Sequence, residues 1–278
     1  MYYISVSDLH FSYPNYTQAL QGVDLNIDLG EFIAIMGENG AGKTTLVKHF
    51  NGLLKPQTGN VIVDGVDTRK VTVAQLSKNV GYVFQNPLYQ LFSETVEKEL
   101  ELGLRSMNFT DHEKKRRINE VLIELGIERF RERHPLMLSE GERKSVAIAS
   151  VLVMDPKVLI VDEPTLALDL LEKKRLSSVL TRLHGEGRSI ILVTHDVDFA
   201  FDHSERIVTM SRGKILADGP KEEVINDKTL FDAAGLVEPQ LYQLLKQYEL
   251  SGVHTSDFSV ESVYHDIINH VKKKVKAE

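Results

Sequence analysis

The sequence predicts an α/β fold in which a buried parallel sheet carries an antiparallel β subdomain, an inserted helical subdomain and a C-terminal helical extension. Three observations predict it. Residues 32–36, 158–161 and 190–194 are short apolar runs rich in Val and Ile and bounded by turn or charged residues, as strands covered on both faces are. Short alternating segments around residues 4–6, 23–27 and 61–63, separated by turn residues, have the period of an antiparallel layer. Between Pro87 and Pro156 the apolar period changes to that of a helix.

Each element has a local reason. The run at 32–36 enters a glycine-rich turn, and residues 206–219 read as a closing hairpin that turns near Arg212 and Gly213. In the helical block, Ile118, Val121, Leu122 and Leu125 recur at i, i+3, i+4 and i+7. Thr110 and Glu113 form a capping box before them, and Gly126 follows as a stop. This block interrupts the strand series, so it reads as a subdomain of about residues 87–156 inserted between two core strands. The domain so defined covers residues 1–219. From Pro220 onward the composition is helical, so 220–278 reads as an extension, and its basic cluster at Lys272, Lys273, Lys274 and Lys276 reads as a solvated terminus.

Bulk properties exclude several classes of function. No stretch of the 278 residues approaches the roughly 20 apolar residues of a membrane span. The first ten residues already alternate like a strand, so no secretory signal is expected. A net charge of −7 opposes the attraction to phosphate backbones on which nucleic-acid binding relies, so no nucleic-acid partner is expected. With no cysteine the chain has no disulfide, thiolate nucleophile or cysteine-ligated metal, and its ten histidines lack metal-ligand spacing.

Chemistry concentrates at the predicted strand ends. Gly37-Glu38-Asn39-Gly40-Ala41-Gly42-Lys43-Thr44 satisfies the phosphate-loop pattern between a strand and a helix, which makes this a P-loop NTPase core. Glycines let backbone N–H groups turn toward phosphate oxygens, the helix N-terminus adds positive potential, Lys43 neutralises the β and γ phosphates, and Thr44 can ligate magnesium. Gly37, Asn39, Gly40, Gly42, Lys43, Thr44 and Thr45 are therefore candidate ATP contacts. The run at 158–161 ends in Asp162-Glu163, two carboxylates at the sheet edge facing this loop. Asp162 suits magnesium, and Glu163 suits polarisation of the attacking water, because phosphoryl transfer needs positioning and charge stabilisation more than covalent chemistry. At the end of the next strand, Thr194-His195-Asp196 brings an imidazole to the same edge, where His195 could hydrogen-bond the γ-phosphate.

The order and spacing of these elements resemble the nucleotide-binding subunit of ABC transporters across residues 1–220. The resemblance implies that Tyr13 stacks on adenine, that Gln85 senses magnesium and the attacking water, and that Asp169 lies in the loop linking the two sites of a dimer. The family's signature, usually Leu-Ser-Gly-Gly-Gln, stands here as Leu138-Ser139-Glu140-Gly141-Glu142. In the family it opens a helix whose Ser and Gly meet the γ-phosphate held by the other subunit, which makes Ser139 and Gly141 candidate ATP contacts in trans. Ser139 and Glu142 retain a capping box, so that change is conservative. Glu140 is expected to point away from the partner's nucleotide, leaving the signature functional.

A narrower resemblance lies at Phe84-Gln85-Asn86-Pro87-Leu88-Tyr89-Gln90-Leu91-Phe92, followed by Thr95-Val96 and Leu102-Gly103. It looks like the energy-coupling factor group of importers for vitamins or cobalt and nickel ions, although an acidic residue often stands there where this chain has Leu88 or Tyr89. The resemblance implies ATP and magnesium as cofactors and a second ABC ATPase subunit, the same or paralogous, as partner. It also implies an integral membrane coupling subunit, a small membrane substrate-binding subunit, and a peripheral position on the cytoplasmic face of the cell membrane. Two rival readings share the nucleotide site. A soluble ABC-type ATPase of DNA repair or translation would need coiled coils or a second copy of the motifs, which this chain lacks. A regulatory module without turnover would not need Glu163 and His195 together.

Overall fold

The computed structural model describes residues 2–14, 18–105 and 107–247, and the isolated positions 264, 265, 268, 269 and 272. The N-terminal part runs β1 (Ile4–Ser12), β2 (Gln18–Ile27), β3 (Phe32–Met36), α1 (Lys43–Phe50), β4 (Thr58–Val63), β5 (Val66–Asp67), α2 (Val73–Leu76) and β6 (Val80–Val83). Three longer helices follow, α3 (Val96–Leu104), α4 (Asp111–Glu124) and α5 (Glu140–Leu152). The chain then alternates through β7 (Val158–Asp162), α6 (Leu170–Gly185), β8 (Ser189–Val193), α7 (Val197–His203), β9 (Arg206–Ser211) and β10 (Lys214–Pro220). It continues as α8 (Lys221–Ile225), α9 (Lys228–Ala233) and α10 (Gln240–Gln247).

Two sheets organise these elements. One is antiparallel, in the order β2-β1-β4-β5. The other has the order β10-β9-β3-β8-β7-β6 and is parallel except for the hairpin partner β10. The three expected core strands are all present, but the parallel set has five members. The expectation missed β6 because Gly81 interrupts an already short run. That glycine has a packing reason: a Cβ there would come within 2.4 Å of Val151 in α5 and 2.9 Å of Pro156.

The parallel sheet separates two apolar cores, which explains why its strands are continuously apolar rather than alternating. Phe32, Ala34 and Met36 of β3 face one core while Ile33 and Ile35 face the other. β7 divides likewise, with Leu159 and Val161 on the first side and Val158 and Ile160 on the second. The second core is closed by the antiparallel layer and by Leu46, Val47 and Phe50 of α1. The first is closed by α3 to α6 and by Val224, Ile225, Leu230 and Phe231 beyond the hairpin. At about 1.5–3 kcal/mol for each fully buried aliphatic or Phe side chain, these contacts fix the strand ends to which the functional residues are attached.

The helical block has the expected caps. Thr110 accepts from the Glu113 N–H while the Glu113 carboxylate accepts from the Thr110 N–H at 2.7 Å. Ion pairs tie the block to the core. Glu124 of α4 meets Arg182 of α6, and Asp155 bridges Arg117 of α4 at 3.0 Å and Arg188 at 2.8 Å. Beyond Pro220 the described elements are helical, as expected. Of the lysine cluster only Lys272, exposed in a helical stretch, is described; residues 273–276 lie outside the described residues.

Candidate active site

The parallel topology delivers the expected residues to one edge. β3, β6, β7 and β8 run the same way, so the loops after all four converge on a single cleft. Tyr13, residues 39–45, Gln85, Glu163 and His195 line it.

The phosphate loop is held in a shape that only glycine tolerates at two of its positions. Gly37 has φ +146°, and a Cβ there would lie 2.1 Å from the Met210 carbonyl oxygen. Gly42, at φ +104°, would place one 2.6 Å from the Ala19 carbonyl oxygen. Lys43 begins α1 and is buried, its Nζ donating to the carbonyls of Gly37 at 2.7 Å and Glu38 at 3.0 Å. Burial pulls its pKa down, and the nearby carboxylates of Glu163, Asp162 and Glu38 push it back up. Thr45 is buried, and its hydroxyl lies 3.1 Å from the Tyr13 hydroxyl. Tyr13 packs edge-on against Phe11 and is thereby fixed at the rim of the cleft.

Asp162 ends β7 almost wholly buried. Its carboxylate accepts from the Thr44 hydroxyl at 2.9 Å and from the Tyr82 hydroxyl at 2.6 Å. Burial raises its pKa, and these two donors partly offset the rise. Tyr82 was not anticipated. It lies on β6, in parallel register with β7, and the missed strand hid it.

Glu163 follows with φ +48°, a conformation that a residue with a side chain adopts at a cost of order 1–3 kcal/mol. Its N–H continues the sheet to the Val193 carbonyl at 2.7 Å, while its buried carboxylate accepts from His195 Nδ1 at 2.8 Å. The structure therefore pairs the two residues that the sequence placed at adjacent strand ends. With Nδ1 donating, a neutral His195 ring leaves Nε2 as an acceptor, and Nε2 becomes a donor only in the imidazolium form. The ring is half-exposed and lines the cleft.

The signature lies elsewhere. Ser139 is the N-cap of α5, accepting from the Glu142 N–H, and the Glu142 carboxylate accepts from the Ser139 N–H at 2.9 Å. Neither Ser139 nor Gly141 lines the cleft of its own chain. Glu140 is exposed in a hollow shared with Gln85, Leu88 and Arg143, so Gln85 faces the nucleotide cleft on one side and the signature helix on the other. Asp169 caps α6, accepting from the Glu172 N–H at 2.8 Å. The Glu172 carboxylate in turn accepts from the Asp169 N–H at 3.1 Å and lies where a Cβ on Gly141 would sit. Glu172 and the buried Lys144 of α5 are further residues the sequence reading missed. Lys144 reaches Pro164 and Leu166, and Glu172 reaches Gly141, across twenty or more residues, where local patterns carry no signal; the Asp169–Glu172 box, by contrast, is a local pattern that was open to reading.

The segment after Gln85 has an exposed surface on a fixed backbone. Tyr89 and Phe92 are 70% and 74% exposed. Beneath them, Gln90 accepts from the Phe84 N–H and donates to the Ala147 carbonyl at 2.7 Å and the Ser150 hydroxyl at 2.9 Å. Buried Glu99 accepts from the N–H groups of Phe92 and Ser93 at 2.8 and 2.7 Å.

A profile of the ABC transporter family matches residues 20–166, more than half of the chain. The chain belongs to the ABC transporter family. As an ABC cassette it binds and hydrolyses ATP. It is 36% identical to the energy-coupling factor transporter ATP-binding protein EcfA of Methanocaldococcus jannaschii, over 99% of this chain and all of that one. It is 37% identical to EcfA of Methanothermobacter thermautotrophicus, over 96% of this chain and 86% of that one. A putative ABC transporter ATP-binding protein of Caldanaerobacter subterraneus is 42% identical over 241 residues, and there the cassette spans only 42% of the relative's length. Among solved structures, cbiO1 of Clostridium perfringens, part of the ABC transporter complex cbiONQ, superimposes with a TM-score of 0.74 at 36% identity, covering 88% of this chain and 99% of that one. A dimer of the cassette MJ0796 bound to ADP and phosphate gives 0.72 at 30% identity, covering 78% and 98%. No helix among the described residues is long and apolar enough to cross a membrane.

Proposed function

We propose that this chain is the ATPase of an energy-coupling factor importer, working on the cytoplasmic face of the membrane as half of a head-to-tail dimer. One observation carries the reading: the chain holds two parts of a nucleotide site that do not meet within it. Lys43, Thr44, Glu163 and His195 line one cleft, with Asp162 behind Thr44 at 2.9 Å, while Ser139 and Gly141 lie outside it at the start of α5. A second cassette, identical or paralogous, would supply its own signature to this cleft and receive this one in return.

Within the cleft, Lys43 leaves its loop carbonyls for the β and γ phosphates, and Tyr13 packs on the adenine. Glu163 orients the attacking water, held by the His195 Nδ1 proton, and the resulting charge is met by Lys43 and the loop N–H groups. The donor set fits magnesium. The Thr44 hydroxyl and the Asp162 carboxylate are already in contact, and Gln85 stands at the same cleft. Among the described residues there is no cluster of three or more His, Asp or Glu able to hold a metal. The Thr44 and Asp162 oxygens fit an ion that takes one or two protein ligands and completes its shell with water and phosphate. Bound there, magnesium would neutralise charge on the phosphates.

Two membrane chains would hold the cargo, a vitamin or transition-metal ion, and the exposed Tyr89 and Phe92 would meet the coupling subunit. The test is to isolate the chain gently from solubilised membranes of its own organism and identify its companions by mass spectrometry. A polytopic coupling protein, a small membrane protein and a second cassette are expected. Ribosomal or DNA-repair companions would leave the nucleotide chemistry standing and remove the importer.

A further inference from the structure

Lys144 lies on α5 three residues after Gly141 and is only 6% exposed. A lysine is rarely buried without a purpose for its three donors. Its Nζ donates to the Pro164 carbonyl at 3.3 Å and to the Leu166 carbonyl, both in the segment that leads from Glu163 to Asp169. Burial pulls its pKa down, against the opposing effect of the Glu140, Glu172 and Glu163 carboxylates.

The segment it grips is anchored at its ends, by the Glu163 N–H on the Val193 carbonyl at 2.7 Å and by the Asp169 cap of α6, while Leu166 and Ala167 between them are exposed. Glu163 and Ala167 hold φ of +48° and +60°, and its internal turns close with long bonds, Leu166 N–H to Glu163 O at 3.4 Å and Leu168 N–H to Thr165 O at 3.2 Å. A second contact runs parallel to the first, because Glu172 packs on Gly141 and accepts from the Asp169 N–H. The helix that carries the signature is thus tied at two points to the strained segment that carries the catalytic carboxylate.

We propose that Lys144 is a positioning residue that links the signature helix to the 163–169 segment, so that docking of Ser139 and Gly141 on one nucleotide is registered at Glu163, which serves the other. This rests on the dimeric reading above. Lys144 touches no reacting atom; it holds backbone carbonyls, and through them the geometry of Glu163.

The full-length chain should be compared with Lys144→Met, which keeps the stem and loses the donors, and with Lys144→Gln and Lys144→Arg, which keep donors. Lys144→Met should lower kcat for magnesium-ATP about tenfold or more, the cost of a misplaced catalytic group, and leave ATP affinity within about twofold. Amide exchange at residues 166–168 should accelerate in Lys144→Met while α5 and β7 keep their protection, and both donor-keeping variants should stay near the unmodified chain. Unchanged turnover and exchange in Lys144→Met overturns the proposal, as does an equal loss in all three variants, which marks a merely structural lysine. Should Lys144→Met fail to fold, the unmodified chain decides: free-loop exchange rates at Leu166 and Leu168 overturn the tether, and protection comparable to α5 supports it. An unmodified chain that does not hydrolyse ATP with its natural partners would sink the functional reading, and the exchange measurement would still judge Lys144.

Discussion

The cleft and the signature end of α5 are built in opposite ways. In the cleft every ionisable group is engaged internally: Lys43 lies on loop carbonyls, Asp162 is held by Thr44 and Tyr82, and Glu163 is held by His195. At the signature, Ser139 and Glu140 are exposed, and beside the helix cap stand Glu172 packed on Gly141 and Arg129 at 3.7 Å from Glu142. The cleft's side chains are held by one another, on a backbone strained at Glu163. The signature is a presented surface whose described contacts, the cap among them, stabilise its own helix and leave Ser139 and Glu140 exposed. On the proposed dimeric reading, the cleft acts as a receptor and the signature as a reporter, and mutations in the two should separate binding from turnover.

The largest separation is expected from Glu163→Gln, which keeps the shape and removes the base. Hydrolysis should fall by about 10²- to 10⁴-fold while ATP still binds, and size-exclusion chromatography should show an accumulating ATP-bound dimer. Normal turnover would end the assignment of Glu163. Lys43→Ala acts on the receptor itself. Losing a charge-assisted contact worth about 1.5–3 kcal/mol should weaken ATP binding by titration calorimetry at least about tenfold, and an unchanged affinity would refute the phosphate-loop reading. Ser139→Ala tests the reporter. It should cost about 1 kcal/mol of stability through the lost cap and several-fold in turnover, with ATP affinity of the isolated chain unaltered. The smallest effect belongs to Glu140→Gly, which restores the family's usual residue. If Glu140 points away from the partner's nucleotide, turnover should stay within about twofold, because a first-turn carboxylate contributes only about 0.3–1 kcal/mol to its helix.

Much of this contrast was legible in the sequence because it depends on local rules. The phosphate loop, the carboxylates after 158–161 and the boxes at Thr110/Glu113 and Ser139/Glu142 are each written within a few residues, and the structure has them in place. What escaped was non-local. β6 was hidden because Gly81 answers to Val151, seventy residues away, and Tyr82 was lost with it. Lys144 and the contact of Glu172 with Gly141 escaped as well, because only the fold brings α5 against the segment before α6. The pairing of His195 with Glu163 was foreshadowed only as two groups at neighbouring strand ends. It required the positive φ of Glu163 to turn one toward the other.

The fixed backbone beneath Tyr89 and Phe92 has a mechanical consequence. A turn that shows aromatic rings to solvent would ordinarily be compliant, bending under load and dissipating it within a few residues. Here Gln90 bolts the turn to α5 and Glu99 bolts it to α3. Phe92 and α5 are therefore joined through the turn and its hydrogen bonds, a route by which a displacement at one could reach the other.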